Sequence, residues 1–175
     1  MFRNSTTRNM EFLKVSLISI LFGGFILLQP LLAKDELDPE WYSSYRGKQV
    51  AYFAGLFEGT KYDYANSDPL RGFDCSGYVS FVYGYFDIKV PRVSAQFDHA
   101  GKTIPLSQIR SGDILLFKGS NVNSTQTGHL GIVTEIKDGK IYFLHSATSN
   151  KRGIMTSNLD ESYFKQRFIK AIRIL

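Results

Sequence analysis

At Ser111-Gly112 the hydrophobic period of the chain changes from that of helices to that of antiparallel strands, and this switch limits the fold more than any other feature. Before it, Asp38 and Pro39 read as the N-cap and first turn of a helix whose apolar residues Val50, Phe53, Ala54 and Phe57 share one side, with Gly59 ending it. Residues 60–72 are dense in Asn, Asp, Ser, Pro and Gly and read as a loop. Asp74 then caps a second helix over residues 74–86 with Val79, Val82 and Phe86 facing inward, and a short helical piece follows Pro91. After the switch, alternating segments predict strands over residues 113–118, 129–136, 140–146 and 153–157. Asp138-Gly139 supplies a hairpin turn, 119–127 a polar surface loop, 162–167 a helical turn and 168–175 a closing strand. Helices first and strands afterwards imply an α+β fold with the helices against one antiparallel sheet.

The 175 residues suffice for one domain with a real core. Arg3, Arg8 and Lys14 precede an apolar run over 15–28, followed by Pro30, Leu-Leu-Ala and the charged stretch Lys34-Asp35-Glu36. That order predicts a signal peptide over 1–33 and a single domain over 34–175, placed in the periplasm, the cell envelope or outside the cell. Leu31 is larger than the small residue preferred three places before a cleavage after Ala33, so an anchor is the alternative, and only then is a membrane a partner. Without residues 1–33 there remain 18 basic and 15 acidic side chains on 142 residues. So mild an excess, with no basic cluster interleaved with aromatics, predicts no nucleic-acid partner.

Exported chains usually carry cysteines in pairs, and this one has a single Cys75. It falls at the predicted tip of the second helix, where free N–H groups and the helix dipole favour a thiolate. A Cys nucleophile needs a base, and His129 and His145 lie on strands joined through the Asp138-Gly139 turn, so both rings can share one end of the sheet. Either histidine alone fits an ordinary half-buried strand residue; with a helix-tip Cys the pair fits a catalytic set. His99, in a polar segment, reads as a surface residue. Cys and two His are also zinc ligands, but the usual short ligand spacing is missing and the carboxylate beside them, Asp74, is the cap, so no metal is expected.

The segments FDCSGY (73–78), VPRVSAQF (90–97), SGDILLF (111–117), GHLGIV (128–133) and YFLHSA (142–147) together resemble the NlpC-type cell-wall cysteine endopeptidases of the papain-like superfamily. The resemblance implies a papain-like fold, an antiparallel sheet of about five to six strands with the N-terminal helices packed on it. It implies cleavage of peptidoglycan stem peptides, between D-glutamate and a diamino acid, by a monomer without cofactor. Cys75 is then the nucleophile, His129 the base and His145 the residue that orients it. Tyr62 corresponds to a loop tyrosine near the thiolate, and Asp74, Ser76 and Ser94 to residues bordering the substrate pocket. The sequence departs from the family pattern at Ala65-Asn66, where Gly-Gly is usual, at Val93, where some relatives have Asp, and at Phe97, where Gln is usual. A CHAP-type amidase and a catalytically inactive wall-binding module are the alternatives.

Overall fold

The computed structural model describes residues 38–148 and 153–175; the expected signal segment, 1–33, lies outside them. Among the described residues no helix is long and apolar enough to cross a membrane. Asp38 caps α1 (Pro39–Gly55) by accepting from the Glu40 N–H at 2.9 Å. The helix stops four residues short of Gly59, and turns carry the chain to that glycine, whose φ of 86° lies in the left-handed region. Within the expected loop, β1 (Ser67–Asp68) and β2 (Gly72–Phe73) form a small antiparallel pair, and α2 (Cys75–Gly84) follows at once. A 3₁₀ turn over Ser94–His99 leads to β3 (Lys102–Ile104). Then come β4 (Ile114–Lys118), β5 (Thr127–Lys137), β6 (Lys140–Ala147), β7 (Gly153–Asn158), α3 (Ser162–Arg167) and β8 (Phe168–Arg173).

Six strands form one antiparallel sheet in the order β3-β8-β4-β5-β6-β7. Strand alternation divides the apolar residues into two cores. On one face Ile114, Leu116, Leu130, Ile132, Leu144 and Ile154 pack against Val50 and Ala54 of α1 and Val79 and Val82 of α2. On the other, Leu115, Phe117, Val133 and Phe143 are covered by Phe164 of α3. Two fully buried tyrosines of α2 were not anticipated as core. Each is admitted because its hydroxyl finds a carbonyl: Tyr78 donates to Ala54 O at 2.8 Å, and Tyr83 to Gly112 O. The short edge strand β3 was also missed, three residues being too few to show a period.

The β5–β6 hairpin turns at Asp138-Gly139, both with positive φ as a tight hairpin turn requires. Its register runs Lys137↔Lys140, Ile136↔Ile141, Glu135↔Tyr142, then slips by one residue to Val133↔Phe143 and Ile132↔Leu144. Thr134 is the extra residue of this bulge. Its carbonyl accepts from the Ser111 hydroxyl at 2.8 Å, and Gly112 N–H donates to Val133 O at 2.8 Å. The turn that pins the bulge is itself wedged under α1, since a Cβ on Gly47 would meet Ser111 O at 2.2 Å.

Ala normally stabilises a helix interior over Gly by about 1 kcal/mol. At Gly55, where a Cβ meets nothing within 4 Å, Gly55→Ala should raise the Tm. At Gly47 the sign reverses, and Gly47→Ala should cost about 1–3 kcal/mol through overpacking against Ser111. Urea unfolding of both variants checks this; a stabilising Gly47→Ala contradicts it.

Candidate active site

Cys75 is the first residue of α2, directly after the cap. The Asp74 carboxylate accepts from Gly77 N–H at 2.6 Å, and a Cβ on Gly77 would lie 2.1 Å from Asn66 O, so a glycine is needed where the preceding loop crosses the first helical turn. Cys75 Sγ stands 3.5 Å from Ser94 Oγ and 4.0 Å from the carbonyl oxygen of Gly128, the residue before His129. A cleft of about 550 Å³ is lined by Tyr62, Cys75, His129, His145, Ser157 and Phe164, among others. Helix tip and central strands thus present the thiol and both histidines to one cleft.

The bulge decides which way the histidines face. Continuing the register from Ile132↔Leu144 sets Gly131 opposite His145 and His129 two residues further on, so both imidazoles project from the same face. Without the extra residue at Thr134, His145 would oppose Ile132 and point into the other core. Gly131 has no room for a side chain, since its Cβ would lie 2.4 Å from the Phe143 ring. His129 Nε2 lies 3.0 Å from His145 Nδ1, and His145 Nε2 lies 3.1 Å from Ser157 Oγ. If His129 is to accept at Nδ1, its Nε2–H donates to His145 Nδ1, and His145 Nε2–H donates to Ser157, a chain with one consistent direction. Both nitrogens of His145 are thereby occupied, leaving neither for a metal ion. Among the described residues no group of three or more His, Cys, Asp or Glu side chains is arranged to hold one.

The remaining expected residues divide. Tyr62 lines the cleft with Cys75, and its chain segment is held by a bridge to Phe73. Ser94 reaches the thiol itself. Asp74 and Ser76 instead turn away into a partly buried network: Arg92 grips both Asp74 oxygens, at 2.9 and 2.8 Å, and reaches Ser76 Oγ at 3.1 Å, while Ser76 donates to Asp74. His99 is exposed, as expected. Arg92 and Ser157 were missed. A buried cap carboxylate calls for a counter-charge and PRVS supplied one, whereas Ser157 reaches His145 only through the β6–β7 register. Ala65, at the first of the two departures from Gly-Gly, has φ 56° and keeps the left-handed conformation that a glycine would adopt freely.

The NlpC/P60 family model matches residues 59–173. The chain belongs to the NlpC/P60 family. It is 34% identical over 132 residues to the probable endopeptidase NlpC of Escherichia coli K12, covering 71% of this chain and 80% of that one. It is 31% identical over 120 residues to the murein DD-endopeptidase MepS/murein LD-carboxypeptidase of the same organism, covering 68% of this chain and 58% of that protein's length. Among solved structures, a Staphylococcus aureus Mu50 protein described as similar to a lipoprotein of the NLP/P60 family superposes with a TM-score of 0.63 at 27% identity, over 74% of this chain and 42% of that one. The papain-like α+β fold expected from the sequence is the fold of this family, with six strands in its sheet.

In this NlpC/P60 domain burial dominates the electrostatics of the site. It pushes the Cys75 thiol above its ordinary value, and the Asp74 carboxylate adds to the rise; the Ser94 hydroxyl and the N–H groups of Ser76 and Leu130 oppose it without overcoming it. The helix tip therefore favours the anion, as expected, but less than burial disfavours it. Burial likewise lowers His129 to about 4, and His145 to about 3 with help from the neighbouring His129. The Tyr62 phenol is raised, first by burial and then by the nearby Cys75 and Asp74. At neutral pH the favoured resting state is a thiol beside two neutral imidazoles.

Because both histidines have folded values below their ordinary 6.5, the unfolded chain takes up protons first as pH falls. Well above 6.5 they contribute no pH dependence; stability declines from 6.5 through about 4, where His129 protonates, to about 3, where His145 does. Urea unfolding at pH 7.5 and pH 5 should show wild type losing about 2–4 kcal/mol more than the His129→Gln/His145→Gln double variant over that interval. Equal losses contradict neutral burial of the pair.

Proposed function

We propose that this chain is an exported cysteine endopeptidase of the cell envelope that hydrolyses peptidoglycan stem peptides at the D-glutamyl to diamino acid bond. The observation that carries it is the run of contacts from Ser157 through His145 to His129, at 3.1 and 3.0 Å, opening on the cleft that holds Cys75. The printed names of the relatives, endopeptidases of murein among them, support the substrate class.

In this scheme Cys75 is the nucleophile, His129 the general base and His145 the residue that keeps His129 in the right tautomer. His129 Nδ1 takes the thiol proton as Sγ attacks the amide carbonyl, so the charged pair exists only as the bond forms. The Cys75 N–H at the helix tip and the Tyr62 hydroxyl donate to the developing oxyanion; one well-placed donor is worth about 3–4 kcal/mol. His129 then gives its proton to the leaving amine, and water activated by the same ring hydrolyses the thioester. Burial of the imidazoles suits this order, since a base that is neutral down to about pH 4 is in its accepting form throughout the neutral range. Ser94 sits beside the sulfur, while Asp74 and Ser76 act behind it by fixing the helix tip with Arg92.

Mass spectrometry of peptidoglycan fragments after incubation with the purified protein tests the reaction. Cleavage within stem peptides is expected, and release of intact stem peptides from glycan would mean an amidase instead. Cys75→Ala should abolish product while leaving the Tm near wild type; retained hydrolysis overturns the scheme. His145→Gln should lose less kcat than His145→Ala, because the Gln amide can still accept from His129 Nε2–H. Equal losses remove His145 from the tautomer-setting role.

A further inference from the structure

The cleft has two walls of different chemistry. Tyr62 and Cys75 belong to the side of α2, which packs on one face of the sheet. His129 and His145 project from the opposite face, and α3 is fixed against them: the Phe164 ring is centred 5.0 Å from that of His145 and 6.4 Å from that of His129. Phe164 is buried, and its neighbours Glu161 and Tyr163 also line the cleft. Glu161 is the one residue with a full charge among the described residues that do so.

That carboxylate is held in place. Glu161 Oε1 accepts from Asn158 N–H at 2.8 Å, and Glu161 N–H donates to Asn158 O at 3.1 Å, closing a tight turn at the end of β7. Among the described residues no Lys or Arg pairs with it. Arg167 lies over the Tyr163 ring, 3.9 Å from its centroid, and donates to Tyr163 O; it forms no ion pair with Glu161 among the described residues. A fixed negative charge, without an ion-pair partner among the described residues, thus stands on the wall that carries the histidines.

We infer that Glu161 forms a subsite for the free side-chain ammonium of the diamino acid on the leaving side of the scissile bond. The step rests on the endopeptidase reading above. The ring that takes the thiol proton returns it to the leaving amine, so that amine must come within hydrogen-bond reach of His129. The leaving fragment therefore runs along the histidine and α3 wall, and for a stem peptide cut after D-glutamate it begins with a diamino acid. Its terminal ammonium is the cation that a carboxylate on that wall can recognise. The selectivity follows: a free side-chain amine is preferred over an acylated one, so uncross-linked stems are preferred over those joined through that amine.

The test compares two synthetic peptides, L-Ala-γ-D-Glu-L-Lys-D-Ala and the same peptide with the lysine side chain acetylated, using the full chain and Glu161→Gln. Gln keeps the acceptor for Asn158 N–H and removes only the charge. Wild type should favour the free amine by about fivefold in kcat/KM, mainly through KM, as expected of a partly exposed ion pair, and high salt should erode the preference. In Glu161→Gln the ratio should fall to near one. A wild-type ratio near one, or a ratio that survives in Glu161→Gln, overturns the subsite while leaving the endopeptidase intact. Failure of wild type to cleave either peptide overturns the proposed bond and the subsite with it.

Discussion

The 3.0 Å contact between His129 Nε2 and His145 Nδ1 is the interaction on which the site depends, and it exists because one strand is a residue too long. Side chains alternate across a sheet, so two residues on neighbouring strands meet only if their register has the right parity. The tight turn at Asp138-Gly139 starts β5 and β6 in the wrong parity for these two histidines, and the bulge at Thr134 corrects it before the histidines are reached. The correction is not left to the hairpin. Ser111 and Gly112 hold Thr134 O and Val133 O, Tyr83 of α2 holds Gly112 O, and Gly47 of α1 lets the turn approach. Both helices that build the first core therefore also fix the register that builds the site.

The second organising effect is desolvation. A helix tip and two imidazoles suggest a resting thiolate–imidazolium pair, yet burial acts against charge on both partners, and in this cleft it prevails. The consequence is a His129 ring kept neutral beside a second neutral ring, His145, which in turn contacts Ser157. The Asp74 carboxylate stands close behind the sulfur, where it opposes the thiolate. Arg92 pairs with both its oxygens, so the helix keeps its cap while the carboxylate is compensated from the other side.

Much of this was legible in the residues. Asp38-Pro39 and Asp74 marked both helix starts, alternation marked the long strands, and Asp138-Gly139 marked the hairpin, because caps, period and tight turns are local. Cys75, His129 and His145 could be brought toward one another from spacing alone. What stayed hidden depends on register or on distant partners. The bulge at Thr134 has no local signature, and Ser157 reaches His145 only after β6 and β7 pair. Tyr78 and Tyr83 enter the core only because carbonyls of α1 and of the Ser111-Gly112 turn, distant in sequence, make their burial possible. Asp74 and Ser76, adjacent to the thiol in sequence, face Arg92 instead of the cleft, since successive helical positions point in different directions.

The direction of the hydrogen-bond chain is the physical claim beneath the chemistry, and nitrogen-15 NMR of histidine-labelled protein at neutral pH reads it directly from the imidazole shifts and couplings. His129 and His145 should both be neutral, with the proton on Nε2 in each ring. A doubly protonated His129, or a proton resident on Nδ1 of either ring, would contradict the account, because His129 would then have no free nitrogen with which to take the thiol proton in the proposed reaction.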